Sequence, residues 1–393
     1  MCKIGILFEN RDFEHDVYEL IKAFYPEAEI HTLYENAEAE YDLRFSVERD
    51  NDSYIIKYER TENLSKQETE QKGVISADIL SKENAGCGIQ DAHALRKENK
   101  DNIKYALYQL LVKLTGRTLP WGNLTGIRPA KLAMGMIESG MKNTEAAREM
   151  RERYLVSPQK TALAITIANR EREILKDIDY ENGYSLYIGI PFCPSICLYC
   201  SFSSYPLKVW EKRTDEYVEA LCREVRETAL MMKGRKLDTI YIGGGTPTTL
   251  LPHQIRKLLD TVGEAFGYEG LAEFTVEAGR PDSITREKLE VIHRHNISRI
   301  SINPQTMKEE TLRLIGRQHT VQQTIDSFKL AREVGFDNIN MDLIVGLPEE
   351  TIADVRETMR QLEELDPDNI TVHSLAIKRA ARLRMQKEQY ENL

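Results

Sequence analysis

Cys193, Cys197 and Cys200 stand in the run Cys-Pro-Ser-Ile-Cys-Leu-Tyr-Cys, a CxxxCxxC spacing that gathers three thiols in one short loop. Electron-carrying [4Fe–4S] clusters take four cysteine thiolates. Three thiolates leave one iron open to a ligand that is not protein, and an open position separates catalytic metal sites from structural ones. Two other chemistries compete for these residues. Structural zinc requires four nitrogen or sulfur ligands, and the nearest further candidate, Cys222, reads as mid-helix. A disulfide needs an oxidising compartment, whereas the opening run Met1-Cys-Lys-Ile-Gly-Ile-Leu-Phe-Glu-Asn-Arg meets charge too early for a secretion signal. Spacing therefore favours a cluster, and Cys2, Cys87 and Cys222 read as plain thiols.

The elements around the loop must present it. Apolar strands are expected at 184–192, 237–243, 273–277, 299–303, 338–345 and 369–375, with amphipathic helices between them at 212–232, 252–266, up to about 293, before 338 and after 351. Thr320-Val-Gln-Gln323 and Thr351-Ile-Ala-Asp354 read as capping boxes that open two of these helices. Short strands alternating with helices imply parallel βα units with right-handed crossovers, and six of them make an open or partial (β/α)6 barrel. Functional groups of such barrels sit at the C-terminal strand ends. The cysteines follow the first strand, Gly243-Gly-Gly-Thr246-Pro ends the second, Glu277 ends the third, Gln305 follows the fourth, and Asp342 lies in the fifth. All fall on one rim.

The first part of the chain reads differently. A strand is expected at 3–8, a hairpin over 43–59 turning at Asn51-Asp52, and a helix over 91–115. Residues 128–178 read as helical, with Ser157-Pro158 as N-cap and first helical residue. The expected organisation is an N-terminal α+β domain over 1–120, a helical linker region over 121–180, and the α/β core over 181–393. The segment LTGIRPAKL at 124–132 is most simply a turn entering a helix.

Composition bounds the partners. The 393 residues are 41% hydrophobic and 30% charged, an ordinary globular balance. The net charge of −10 argues against non-specific binding to nucleic acid or an anionic membrane. No apolar run approaches the ~18 residues of a membrane span. A cytoplasmic location is expected.

Taken together, the strings YIGIPFC, CLYC, YIGGGTPTTL, VEAGRPDS and MDLIVGLPEET resemble the core of the radical S-adenosylmethionine (SAM) enzymes over 184–375. The chain is similar to the oxygen-independent coproporphyrinogen III dehydrogenase family in its HemZ-type branch, which LTGIRPAKL also resembles. The resemblance implies a [4Fe–4S] cluster on Cys193, Cys197 and Cys200 whose open iron chelates the amino nitrogen and carboxylate of SAM. It implies that Tyr187 contacts SAM, and that Gly244, Gly245 and Thr246 bind its amino-acid part. Side-chain-free backbone can approach closely there, although a tight strand-to-helix turn explains the same glycines. Phe192 or Tyr199 would offer an apolar face beside cluster or adenine. Glu277, Gln305, Arg317 and Asp342 match polar positions around SAM; read alone they are strand-end acids, a turn residue and a loop cation.

The implied reaction begins with one electron, from a reductant such as flavodoxin or ferredoxin, that cleaves SAM to methionine and a 5′-deoxyadenosyl radical. The radical takes a hydrogen from a porphyrinogen propionate, and loss of CO2 and one electron leaves a vinyl group. Two rounds would convert coproporphyrinogen III to protoporphyrinogen IX. The cofactor carries the hard chemistry. A tetracarboxylate substrate calls for cations, and Arg280, Arg299, Arg317 and the run Lys378-Arg379-Ala-Ala-Arg382-Leu-Arg384 are available, the run also reading as an exposed charge stripe. Three departures accompany the resemblance: Gly189 and Phe202 stand where better-known members carry histidine and cysteine, and the chain stops in the tail MQKEQYENL where relatives continue into a cover. A truncated core would admit water and turn over poorly. Haem-delivering relatives, another radical SAM substrate and a structural metal module are the rival readings.

Overall fold

The computed structural model describes residues 2–9, 11–34, 41–50, 53–64, 67–78, 92–378 and 380–385. Asn51-Asp52, Cys87, Arg379 and the tail beyond Met385 lie outside the described residues. The chain forms two compact units, Met1–Lys176 and Asp177–Leu393.

In the first unit, β1 (Lys3–Phe8), α1 (Glu14–Phe24) and β2 (Glu29–Leu33) make a parallel βαβ unit, and β3 (Leu43–Asp50), β4 (Ser53–Leu64) and β5 (Gln67–Asp78) extend it to a sheet ordered β2-β1-β3-β4-β5. β3 and β4 pair antiparallel, as expected of a hairpin. Helix α2 (Ala92–Thr115) contributes Leu107 and Leu111 to a core shared with Ile4, Ile6 and Phe8 of β1 and Leu20 and Phe24 of α1. α3 (Pro129–Glu138), α4 (Asn143–Glu152) and α5 (Pro158–Ile174) have a core of their own around Ala133, Met150 and Ala164. The Ser157 side chain caps α5 by accepting from the Lys160 N–H.

The second unit holds the cysteines. Its elements are β6 (Gly183–Ile190), β7 (Phe192–Cys193), β8 (Tyr205–Pro206), α6 (Leu207–Trp210), α7 (Thr214–Met231), β9 (Lys236–Gly244), α8 (Pro252–Phe266), β10 (Glu273–Gly279), α9 (Arg286–His293), β11 (Arg299–Ile302), α10 (Glu309–Leu314), α11 (Val321–Val334), β12 (Ile339–Val345), α12 (Ile352–Leu365), β13 (Asn369–Ser374) and α13 (Arg382–Met385). Six strands form one all-parallel sheet ordered β13-β12-β11-β10-β9-β6, curled into a half-barrel. Each strand lies beside its predecessor, as successive right-handed βα crossovers dictate. Thr320 and Thr351 open α11 and α12 with the two capping boxes read from the sequence.

Side chains alternate across a strand, and the register makes the alternation coherent from strand to strand. Ile188, Ile190, Ile240, Ile242, Phe274, Val276 and Ile300 are buried against Val218 of α7, Leu258 of α8, Leu289 of α9, Phe328 of α11 and Leu362 of α12. The other face carries a polar row: Tyr187 opposite Tyr241, Tyr241 opposite Thr275, Glu277 opposite Ser301, Ser301 opposite Asn340, and Asp342 opposite Thr371. One face is thus core and the other is free to line a site.

Candidate active site

The row ends in a cavity of about 340 Å³ at the C-terminal strand ends. Cys193, Cys197, Cys200, Tyr199, Gly244, Gly245, Thr246, Glu277, Gln305, Arg317 and Asp342 all line it. Of the residues singled out from sequence, Tyr187 and Phe192 do not, nor do the candidate cations Arg299, Arg382 and Arg384. Phe192 shares the Ile188–Ile190 face, so its ring points into the core and meets Tyr217 edge-on at 5.1 Å. Tyr187 is 60% exposed and stacks on Tyr241 at 5.8 Å between ring centres.

The cysteine loop is held from three sides. The buried Arg280 guanidinium donates to the Ser195 carbonyl at 2.9 Å and hydroxyl at 2.8 Å and lies 3.9 Å from the Cys197 sulfur. Its other edge makes a forked pair with Asp282 at 3.0 and 2.8 Å, so Arg280 is engaged inside the protein rather than free for a substrate carboxylate. The Ser195 hydroxyl donates to the Gly316 carbonyl and the Leu198 N–H to the Ile315 carbonyl. Leu383, fully buried, donates its N–H to the Leu198 carbonyl at 2.9 Å. The basic run after β13 is therefore partly anchored: Ala381 and Leu383 are buried, Arg382 and Arg384 exposed, and Lys378 reaches the cavity.

The glycine turn meets the loop directly. Gly245 donates to the Ile190 carbonyl at 2.7 Å, Thr246 to the Phe192 carbonyl at 2.8 Å, and the Thr246 hydroxyl lies 3.7 Å from the Cys193 sulfur. A Cβ on Gly245 would stand 2.6 Å from the Phe192 carbonyl oxygen. Gly244 takes φ 107°, a region open to glycine alone at little cost. Burial pushes the Cys193 and Cys200 thiols up, with the Thr246 contact and the Phe202 backbone acting against it respectively.

The acids lie on the polar row. Burial raises the Glu277 carboxyl; the Tyr241 hydroxyl, donating at 2.5 Å, opposes this, and Asp342 adds to it. Asn340 orients Asp342 with a 2.6 Å hydrogen bond. Tyr241, Asn340, Asn303 and Ser195 escaped the sequence reading, although Tyr241 and Asn340 lie on the same strand face as Glu277 and Asp342, a signal that alternation carries. Gln305 sits at φ 69°, held by its N–H on the Asp342 carbonyl and its carbonyl under the Ile344 N–H. Arg317, 6% exposed, donates to the Asn303 carbonyl and, at 3.3 Å, to the Tyr199 hydroxyl.

Among the described residues no three Cys, His, Asp or Glu side chains converge as ligands of a single metal ion, the arrangement that mononuclear zinc requires. A four-iron cube instead spreads its thiolates over separate irons, and three cysteines around one cavity suit it. Beside them, among the described residues, the buried Asn303 Oδ1 and Gln305 Oε1 are acceptors without a donor, and Arg317 Nε is a donor without an acceptor. Buried polar atoms are normally satisfied; two acceptors and a guanidinium donor complement an ammonium and a carboxylate. The lining fits an iron–sulfur cluster with an amino-acid zwitterion next to it.

His319 is buried at 2% exposure, and among the described residues neither ring nitrogen has a hydrogen-bond partner. Burial first, then Arg317 and Arg280, lower its pKa from 6.5 to about 3, with Asp282 opposing. The unfolded chain therefore binds the proton first as pH falls below 6.5, and stability drops through that window. Urea melts of the cluster-free protein should lose roughly 2 kcal/mol between pH 7 and pH 5 from this group. His319→Leu removes that slope; an unchanged slope in the variant would assign it elsewhere.

A profile of the Radical SAM superfamily matches residues 187–362. The chain is 38% identical over 344 residues to the oxygen-independent coproporphyrinogen-III oxidase-like protein HemZ of Bacillus subtilis, covering 84% of this chain and 68% of that protein. It is 38% identical over 195 residues to the heme chaperone HemW of Bacillus subtilis, 49% of this chain and 51% of the other. The solved coproporphyrinogen III oxidase HemN of Escherichia coli is 30% identical, with a TM-score of 0.47 over 56% of this chain and 54% of its own. The chain thus spans about two thirds of the HemZ relative and about half of the HemW and HemN proteins.

Proposed function

Because this chain belongs to the radical SAM superfamily, and within it to the coproporphyrinogen-III oxidase-like family of HemZ, we propose that it oxidatively decarboxylates coproporphyrinogen III propionates to vinyl groups, giving protoporphyrinogen IX. The observation that carries the reading is one cavity that joins the three cysteines to unsatisfied acceptors and a buried guanidinium, in a chain 38% identical to HemZ. The superfamily uses a [4Fe–4S] cluster and SAM. Cys193, Cys197 and Cys200 would hold the cluster. When bound, the pair supplies a carbon-centred radical by one-electron cleavage of SAM.

The chain's own residues orient and exclude. Gly245 brings backbone against the loop, and Thr246 faces the Cys193 sulfur. Asn303 and Gln305 offer carbonyl oxygens to an ammonium, and Arg317 offers Nε to a carboxylate. Glu277, kept in place by Tyr241, and Asp342, kept in place by Asn340, supply acceptors for hydroxyl or ammonium groups. Lys378, which lines the cavity, is the cation available to a substrate carboxylate, whereas Arg299 starts β11 paired with Glu273 at 3.9 Å and does not line it.

Tyr241 gives a specific expectation. Tyr241→Phe withdraws a donor from a buried carboxylate, a loss of about 1.5–3 kcal/mol for a hydrogen bond to a charge. It also moves the Glu277 pKa further up. SAM binding measured by calorimetry should weaken ~10-fold at neutral pH and recover partly as pH rises. An unaltered affinity would remove Glu277 from the binding site.

The function is tested by anaerobic reconstitution with iron and sulfide, then reduction with dithionite in SAM, assaying 5′-deoxyadenosine with and without coproporphyrinogen III. Deoxyadenosine that rises with substrate, together with protoporphyrinogen, supports the enzyme. Slow cleavage indifferent to substrate points to a different substrate. The equal identity to HemW favours one second reading, haem delivery, and stoichiometric haem binding without decarboxylation would select it.

A further inference from the structure

Residues 202–213, separated from Cys200 by one residue, expose aromatic and basic side chains together. Phe202, Tyr205 and Val209 are 74%, 50% and 73% exposed. Trp210 stands edge-on to Tyr205 at 5.8 Å, and the Arg213 guanidinium lies 5.8 Å over the Trp210 ring. Lys208, Lys212 and Arg213 are exposed cations against the single acid Glu211, in a chain of net charge −10. Among the described residues Lys208 and Lys212 have no ion-pair partner, and Arg213 meets only the exposed Glu216.

This surface is coupled to the cysteines through backbone. Strand β8 pairs with β7, setting Tyr205 opposite Phe192 and Pro206 opposite Cys193, and the Tyr205 N–H donates to the Pro191 carbonyl at 2.7 Å. Exposed aromatic side chains rimmed by cations are the composition of a protein interface, and complementary charge sets encounter rate.

We propose that residues 202–213 are the docking surface for an acidic one-electron carrier protein that reduces the cluster. The inference rests on the radical SAM reading above. One electron leaves the carrier, which is oxidised by one unit, and enters the cluster, which is reduced by one unit; no atom is transferred. Position favours this occupant, since an interface next to Cys193 and Cys200 shortens the path of the electron. An anionic membrane is less well served: each surface cation contributes only about 1 kcal/mol there, and such recognition uses clusters of roughly four to eight.

The test is anaerobic stopped-flow bleaching of the reconstituted protein by flavodoxin hydroquinone, an acidic flavin carrier, compared with dithionite. Lys208→Glu with Lys212→Glu alters exposed positions, where substitutions seldom affect folding. The expected result is a fall of at least ~10-fold in the flavodoxin rate constant at low salt, loss of most of its salt dependence, and a dithionite rate within ~3-fold of wild type. Reduction of the variant by flavodoxin at the wild-type rate overturns the proposal. So does loss, in the variant, of binding to phosphatidylserine vesicles or of self-association with flavodoxin reduction intact, which would assign the surface to a membrane or a second copy. Failure of dithionite to bleach either protein is a failure of the cluster reading. Binding of oxidised flavodoxin to the cluster-free proteins then decides: affinity lost on charge reversal keeps the surface, equal affinity overturns it.

Discussion

Replacing Gly245 by alanine will leave a folded protein that no longer retains an iron–sulfur cluster. The new methyl would meet the Phe192 carbonyl at 2.6 Å, the Ile190 carbonyl at 2.9 Å and the Cys193 sulfur at 3.0 Å. Two of these are backbone atoms, so no rotamer change relieves them. Relief requires β7 to move from the end of β9. That breaks the hydrogen bonds from Gly245 to Ile190 and from Thr246 to Phe192, and it carries Cys193 off its position. Overpacking of this kind costs ~1–3 kcal/mol, well within the stability of a domain, whereas ligand placement tolerates only ~0.5 Å. Iron per chain and visible absorbance after reconstitution should fall ~10-fold or more, with SAM cleavage falling alongside. Gly189→Ala is the control, because its Cβ would meet nothing closer than a Tyr187 ring carbon at 3.5 Å. Full cluster occupancy in Gly245→Ala would mean that β7 and the glycine turn move independently.

The strand positions, the rim and the cysteine loop were legible because they depend on chain-local signals. Apolar strands between amphipathic helices force parallel βα units, and the strand ends then bring Cys193, Gly244, Glu277, Gln305 and Asp342 to one mouth. What was misjudged depends on orientation. Phe192 lies beside Cys193 in sequence, yet counting by two from Ile188 and Ile190 puts its ring on the helix-covered face. The same count applied to Tyr187 and Tyr241 puts both on the inner face, where Tyr241 reaches Glu277. Arg280 was read as free because its partners, Ser195 and Asp282, are fixed only by the fold. α1, β2 and β5, and the short β8, α6 and α10, carry no expectation from the sequence. In β5 the run QETEQKGVISAD is largely polar, and it becomes a strand by pairing with β4 rather than by its own propensity.

Arg317→Met will separate the binding of SAM from the stability of the fold. The two buried arginines of the site differ in one respect. Arg280 is neutralised by Asp282. Arg317 donates to the Asn303 carbonyl and the Tyr199 phenol and faces the Cys197 thiol, and among the described residues its Nε has no hydrogen-bond partner and the guanidinium no ion pair with a carboxylate. A buried guanidinium without a counter-ion is costly in the empty protein. Replacing buried ions by apolar side chains of similar volume is often neutral or stabilising by ~1–4 kcal/mol. The cluster-free variant should therefore melt at or above the wild-type temperature. With the cluster in place the sign inverts: the cation that would answer thiolate charge and the SAM carboxylate is gone. Losing charge-assisted hydrogen bonds of ~1.5–3 kcal/mol raises the Kd for SAM ~10–100-fold. Arg317→Lys keeps the charge but not the fork, so its affinity should fall between the two. Melting temperature and SAM titration on the same preparations read both signs. A variant that loses stability in the cluster-free state and SAM affinity in equal measure would make Arg317 a structural residue, and its unpartnered Nε would then need a different explanation.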